Sequence, residues 1–293
     1  MTASASADPT FNVPWRVRDA VMAVVGANLA MAALLMFLGI FFGAVFVAQG
    51  VSVDYLRFFE ELFRRPPGFE LLLLIQVLLM ALFMSRCMFR PHRFDPRTLF
   101  VPGQAAQDVR QAIRFFLQCF AVTAAVVVGI ILAVAVWGLF LQRDPAGAIQ
   151  TYATGVQQEG QRVFTIGREG SAAPVFDWLR VAIVALLAPP IEELLFRGGL
   201  YGALRKRFRP WPANLLTSGL FALSHGYVFA LPNVLVLGIV STYAYERTRS
   251  LRTPILLHVL WNTLGATRTE PILWLVLPAS LLLLWRWARR AVR

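Results

Sequence analysis

Pro189-Pro190-Ile191-Glu192-Glu193-Leu194-Leu195-Phe196-Arg197-Gly198-Gly199 places two carboxylates and a guanidinium in a run that is otherwise apolar, after Val181 to Ala188 and before the basic cluster Arg205-Lys206-Arg207. Insertion of a single ionised residue at the centre of a bilayer costs roughly 2.5 to 3.5 kcal/mol even on lenient scales. Three such residues between 192 and 197 therefore have to be paired or put to use. The spacing suggests both. Helical neighbours four apart share a face, so Glu193 can pair with Arg197, whereas Glu192 lies about 100° around the helix and stays free for another partner.

The surrounding chain fixes the solvent of that stretch. Its 293 residues are 58% hydrophobic and only 15% charged, and the mean hydropathy is +0.62. Soluble domains carry about a quarter charged residues, so the composition predicts an all-α polytopic membrane protein. The net charge of +12 does not indicate nucleic acid, because no aromatic-interleaved basic face or known motif is present; the arginines cluster beside apolar runs, where topology places them. Cys87 and Cys119 are too few and too far apart for a disulfide framework or a CxxC metal site.

In chain order, a polar start is followed by an uncharged run from Ala20 to Val53, too long for a signal-peptide core. It reads as an uncleaved first span, Val21 to Ala48. Val51 to Glu70 mixes Asp54, Arg57, Glu60, Glu61, Arg64 and Arg65 with Leu56, Phe58, Phe59, Leu62 and Phe63, as either a helix lying at the membrane interface or a solvated loop. Leu71 to Ser85 is span two. The segment Arg86 to Arg114 holds six Arg against Asp95 and Asp108, a cytoplasmic signature. Phe115 to Leu141 is span three, and the polar stretch Gln142 to Asp177 belongs outside. Spans four to eight then follow as Trp178 to Tyr201, Trp211 to Leu231, Pro232 to Tyr245, Pro254 to Thr267 and Ile272 to Leu284. Basic loops alternate to give eight spans with both termini cytoplasmic, divided into an N-terminal region, 1–177, and a catalytic core with the last span, 178–293.

Only three histidines occur. His92 sits in the basic loop; His225 and His258 fall within spans five and seven. Phe221 and His225 share a face, as do His258 and Asn262. Counted at 1.5 Å per residue from the cytoplasmic boundaries, Glu192 lies roughly 20 Å deep, His225 roughly 21 Å, Asn262 roughly 15 Å and His258 roughly 9 Å. Three helices can thus bring these groups together in the cytoplasmic half or middle of the membrane.

A carboxylate and an imidazole converging on one water can take its proton, and a second imidazole with a carboxamide can donate to the oxyanion that follows. The outcome is amide hydrolysis of a peptide or membrane-protein substrate within the lipid bilayer. Glu192, His225 and His258 are also a possible zinc ligand set with an open position for water.

Glu192-Glu193-x-x-x-Arg197, Phe221-x-x-x-His225 and His258-x-x-x-Asn262, in that order, resemble the three motifs of the CPBP intramembrane protease family, the CAAX-protease and bacteriocin-processing group that includes the Rce1-type prenyl-protein endopeptidases. The resemblance covers Trp178 to Thr267. It implies Glu192 as general base helped by His225, His258 and Asn262 as the oxyanion hole or as help in holding a metal, and Glu193 with Arg197 in support. Cofactor need stays open. A bacterial inner membrane is the expected location, with secreted or membrane peptides as plausible a substrate as a prenylated protein. The competing readings are a transporter or proton relay, which intramembrane Glu and His also serve, and a non-catalytic immunity-type scaffold. Gly198, Gly199 and Gly202 read as sites of close helix packing. Pro189-Pro190 reads either as a tolerated kink or as a break whose freed backbone groups line a cavity.

Overall fold

The computed structural model describes residues 13–50, 67–101, 103–164 and 174–267, and every regular element among them is helical. Residues 51–66 of the expected interfacial segment and the expected span eight, 272–284, lie outside the described residues.

Helices α1 (Val17–Ala48), α2 (Gly68–His92) and α3 (Ala105–Leu141) are long and apolar enough to cross a membrane. Their large apolar side chains face outward, among them Leu29, Met36, Phe37, Ile40 and Leu132, as a lipid solvent requires. Helix α4 (Pro145–Phe164) lies within the stretch expected as a polar loop and packs on α3. Helix α5 spans 174–205. Helices α6 (Pro210–Leu223), α7 (Leu231–Thr248) and α8 (Arg252–Thr267) have 14, 18 and 16 residues, so α6 reaches only about 21 Å at 1.5 Å per residue.

Two expectations are corrected here. Span five was placed at Trp211 to Leu231, but its helix stops at Leu223. The last amides bond three residues back, His225 to Ala222 and Gly226 to Leu223, and Gly226 takes a positive φ of 68°, the left-handed conformation that ends a helix and favours glycine. His225 therefore sits on a turn beyond the helix. Glu70, assigned to the interfacial segment, instead opens α2 and is fully buried. It accepts from Arg180 Nε at 2.9 Å and also from Nη2, and the same guanidinium lies 4.8 Å over the Phe69 ring. A charge pair separated by 110 residues has no local spacing to betray it.

The core forms around the second half of α5. Leu195, Phe196, Leu200 and Tyr201 are buried against Met80, Met84 and Met88 of α2, Phe115 and Phe116 of α3, and Leu257 of α8. Trp15, fully buried ahead of α1, donates its indole N–H to the Gly199 carbonyl at 3.0 Å. A Cβ on Gly199 would fall 2.5 Å from Met88 Cε, and one on Gly198 would fall 2.8 Å from Leu99 Cδ1, so these glycines set the approach distance between helices. Asp108 near the start of α3 is also buried; it accepts from Ser250 Oγ and Thr253 Oγ1, both at 3.0 Å, and so ties α3 to the start of α8.

Candidate active site

Helix α5 changes register twice. Residues Ala182–Leu187 and Leu194–Tyr201 are wound as π-helix, with an α-helical turn, Ala188–Glu193, between them. Pro189 and Pro190 account for the first of these windings, since neither has an N–H to donate. In the wider i to i+5 register the Val184 carbonyl would look to residue 189, a proline, which has no N–H to offer. Asn262 Nδ2 fills that place at 2.9 Å. One carboxamide N–H of Asn262 thus secures α8 to α5, leaving its second N–H and its oxygen over. Short π segments of this kind often occur at functional sites.

Within that turn, Glu193 and Arg197 meet at 3.0 Å, both fully buried. Arg197 Nη2 also donates to the Gly238 carbonyl of α7 at 3.1 Å, and its guanidinium lies 4.4 Å over the Phe221 ring. Phe221 is the centre of an aromatic group, edge-on to His225 at 4.7 Å and to His258 at 5.7 Å between centroids. The phenylalanine four residues before His225 therefore does more than share its face: it is the surface on which one cation and two imidazoles rest.

His258 Nδ1 is 2.9 Å from Glu193 Oε1, and His225 Nδ1 is 2.7 Å from the Phe221 carbonyl. Both partners accept, so each Nδ1 carries its proton and each Nε2 is left free on the Glu192 side. The two Nε2 atoms converge on one carboxylate oxygen: Glu192 Oε2 lies 3.9 Å from His225 and 3.8 Å from His258. That oxygen has no hydrogen-bond partner among the described residues, although the Glu192 side chain is only 16% exposed. Glu192, His225 and His258 are the residues named for zinc. Among the described residues no group of three or more His, Cys, Asp or Glu side chains is drawn together closely enough to hold an ion. His92 is remote from this set by its contacts, with its Nε2 3.7 Å from Asp19 at the start of α1.

One contributor was not legible from the motifs. Glu159 of α4 receives three backbone N–H bonds, from Val228 and Phe229 at 2.9 Å and from Ala230 at 2.8 Å. These amides follow His225 by three to five residues and lead into α7, whose N-terminus favours an anion. The Phe229 ring lies against Tyr152 and over Gly155, where a Cβ would come within 2.7 Å. The sequence offered Glu159 only as one of four acids in the polar stretch 142–177. Hydrogen bonds to a charged acceptor contribute about 1.5 to 3 kcal/mol, so Glu159→Ala is expected to speed amide exchange at 228–230 about ten- to a hundredfold, with Glu159→Gln between it and wild type. Hydrogen–deuterium exchange of the detergent-solubilised protein reads this directly, and unchanged exchange would refute the latch.

Residues 174–264 match the family described as type II CAAX prenyl endopeptidase Rce1-like. The matched segment contains all seven motif residues, from Glu192 to Asn262. The chain is 27% identical over 139 residues to YdiL of Bacillus subtilis, named a candidate membrane peptidase, across 46% of this chain and 55% of that protein. It is 34% identical over 92 residues to an uncharacterised 24.3 kDa protein of Escherichia coli, across 30% of this chain and 42% of that one. The chain thus spans about half the length of the curated relatives it matches. No solved structure matches it. Residues 174–264 thus carry the Rce1-like signature, set in a helical protein with three helices long and apolar enough to cross a membrane.

Proposed function

We propose that the protein is an intramembrane endopeptidase of the glutamate type, hydrolysing a peptide bond of a membrane-associated peptide or protein in a bacterial inner membrane. The observation that carries this reading is the convergence of two imidazole Nε2 atoms on the one partnerless oxygen of Glu192. A water held among these three groups loses a proton to Glu192 as its oxygen attacks the scissile carbonyl carbon. His225 shares in positioning that water. His258, when protonated, donates from Nε2 to the oxyanion, together with the remaining N–H of Asn262. Collapse of the tetrahedral intermediate breaks the C–N bond, and the proton taken by Glu192 passes to the leaving amine. Glu193 and Arg197 touch no reacting atom; they hold His258 through Nδ1 and so fix which nitrogen faces Glu192.

The test is cleavage of fluorogenic prenylated and unprenylated peptides by the detergent-purified protein. His225→Ala and His258→Ala are each expected to lower kcat/KM at least about a hundredfold, the lower end of what acid–base groups contribute. Activity equal to wild type in both variants would overturn the site. Proton-coupled uptake into liposomes that is lost in Glu192→Gln, with no peptide cleaved, would establish a transporter instead.

A further inference from the structure

A second candidate site lies away from the motifs. A groove of about 640 Å³ opens between α3 and the paired helices α6 and α7, and neither Glu192 nor either intramembrane histidine lines it. Along α3, Gln104, Gln107, Gln111, Arg114 and Gln118 follow one another at intervals of three, four, three and four and all face the groove. This is a single polar stripe on a membrane helix. Across from it stand Arg247 in the last turn of α7 and Trp211 in the first turn of α6, with the Trp211 ring stacked on Tyr243 at 6.2 Å. No glutamine of the stripe and neither arginine has a side-chain hydrogen bond or ion pair among the described residues. The acid on the wall, Asp108, is already engaged by Ser250 and Thr253. The deeper lining is apolar, with Phe115, Val122 and Val240.

Unpartnered carboxamides and guanidinium groups on a helix that enters hydrocarbon require a polar partner. They stand at the end of the bundle where the loops are arginine-rich, beside Trp211, an aromatic of the kind enriched at membrane interfaces. Two guanidinium groups with no carboxylate to meet favour an anionic group over a neutral peptide backbone. We propose that the groove binds the headgroup of an anionic phospholipid: Arg114 and Arg247 take the phosphate, the Gln111 and Gln118 amides take glycerol hydroxyl or ester oxygens, and the acyl chains leave over Val122 and Val240. Basic pockets between membrane helices on the cytoplasmic side are suited to such headgroups.

The test is native mass spectrometry of the full-length protein in mild detergent, titrated with phosphatidylglycerol, phosphatidylcholine or inorganic phosphate. One saturable phosphatidylglycerol adduct is expected, favoured over phosphatidylcholine by about thirtyfold, the factor that two arginines facing one anionic headgroup give. Arg114→Gln with Arg247→Gln should remove most of that preference. Arg207→Gln with Arg209→Gln makes the same change of charge outside the groove and should leave it within about twofold. Gln111→Leu with Gln118→Leu, which keeps every charge, should also weaken the adduct; it decides the matter should the arginine pair fail to fold. Equal binding of the two lipids, equal loss in the Arg207/Arg209 variant, or displacement of the lipid by phosphate alone would each overturn the proposal, the last in favour of a free-anion site.

Discussion

Glu192→Gln is expected to reduce kcat by about 10²- to 10⁴-fold, the range spanned by a positioned general base, while leaving the folded protein as stable as wild type. The side chain is isosteric, and the oxygen it changes makes no hydrogen bond among the described residues, so no structural contact is lost. Because the missing interaction belongs to proton transfer, KM should move little and kcat/KM should fall with kcat. Steady-state cleavage of a peptide substrate, read beside thermal unfolding in the same detergent, separates the two effects. A variant that unfolds early would mean that Glu192 is structural; one that cleaves normally would remove it from the chemistry.

Arg197→Met is expected to have the opposite profile, with stability rather than turnover failing first. Arg197 is the fully buried cation against the fully buried Glu193, and removing one partner of such a pair costs about 3 to 5 kcal/mol because the other charge is left uncompensated. The loss should appear as a large drop in unfolding temperature or in recovered monodisperse protein. Glu193→Gln combined with Arg197→Met should recover part of it, since neither charge then remains. Arg197→Lys should rescue poorly. A single ammonium cannot reach Glu193 and the Gly238 carbonyl at once while lying flat over Phe221, as the planar guanidinium does. If Arg197→Met proved as stable as wild type, the buried pair would carry no structural weight.

The sequence made parts of this arrangement legible because they are local. Glu193 and Arg197 meet one helical turn apart, and Phe221 and His225 keep their neighbourhood although the helix between them gives way to a turn. The unused Glu192 was separable by angle alone. What escaped were the partners set by tertiary contact. Glu159 came from a stretch that reads as an external loop, and Glu70 from one that reads as interfacial, because a glutamate whose cation or amides lie 70 or 110 residues away looks like any surface acid. The stopping point of α6 was also hidden. The apolar run continues past Leu223, and only Gly226 signals the end, among many glycines that signal nothing. The first π winding of α5 followed from Pro189-Pro190 in principle, but the side chain that bonds a carbonyl there, Asn262, lies 78 residues from it.

The latch between Glu159 and the turn after His225 has a bearing on how much chain the proposed site needs. The stretch with the family signature begins at residue 174, beyond Glu159, Asp108, Glu70 and Trp15. Excised by its motifs, that stretch would keep every residue assigned to the reaction. It would lose the carboxylate under the 228–230 amides, the partner of Arg180, the acid that gathers Ser250 and Thr253, and the indole that closes over Gly199. The stretch recognisable by its motifs and the stretch whose contacts hold the site in place are different lengths of chain, and grafting the site onto another scaffold would have to carry the longer one.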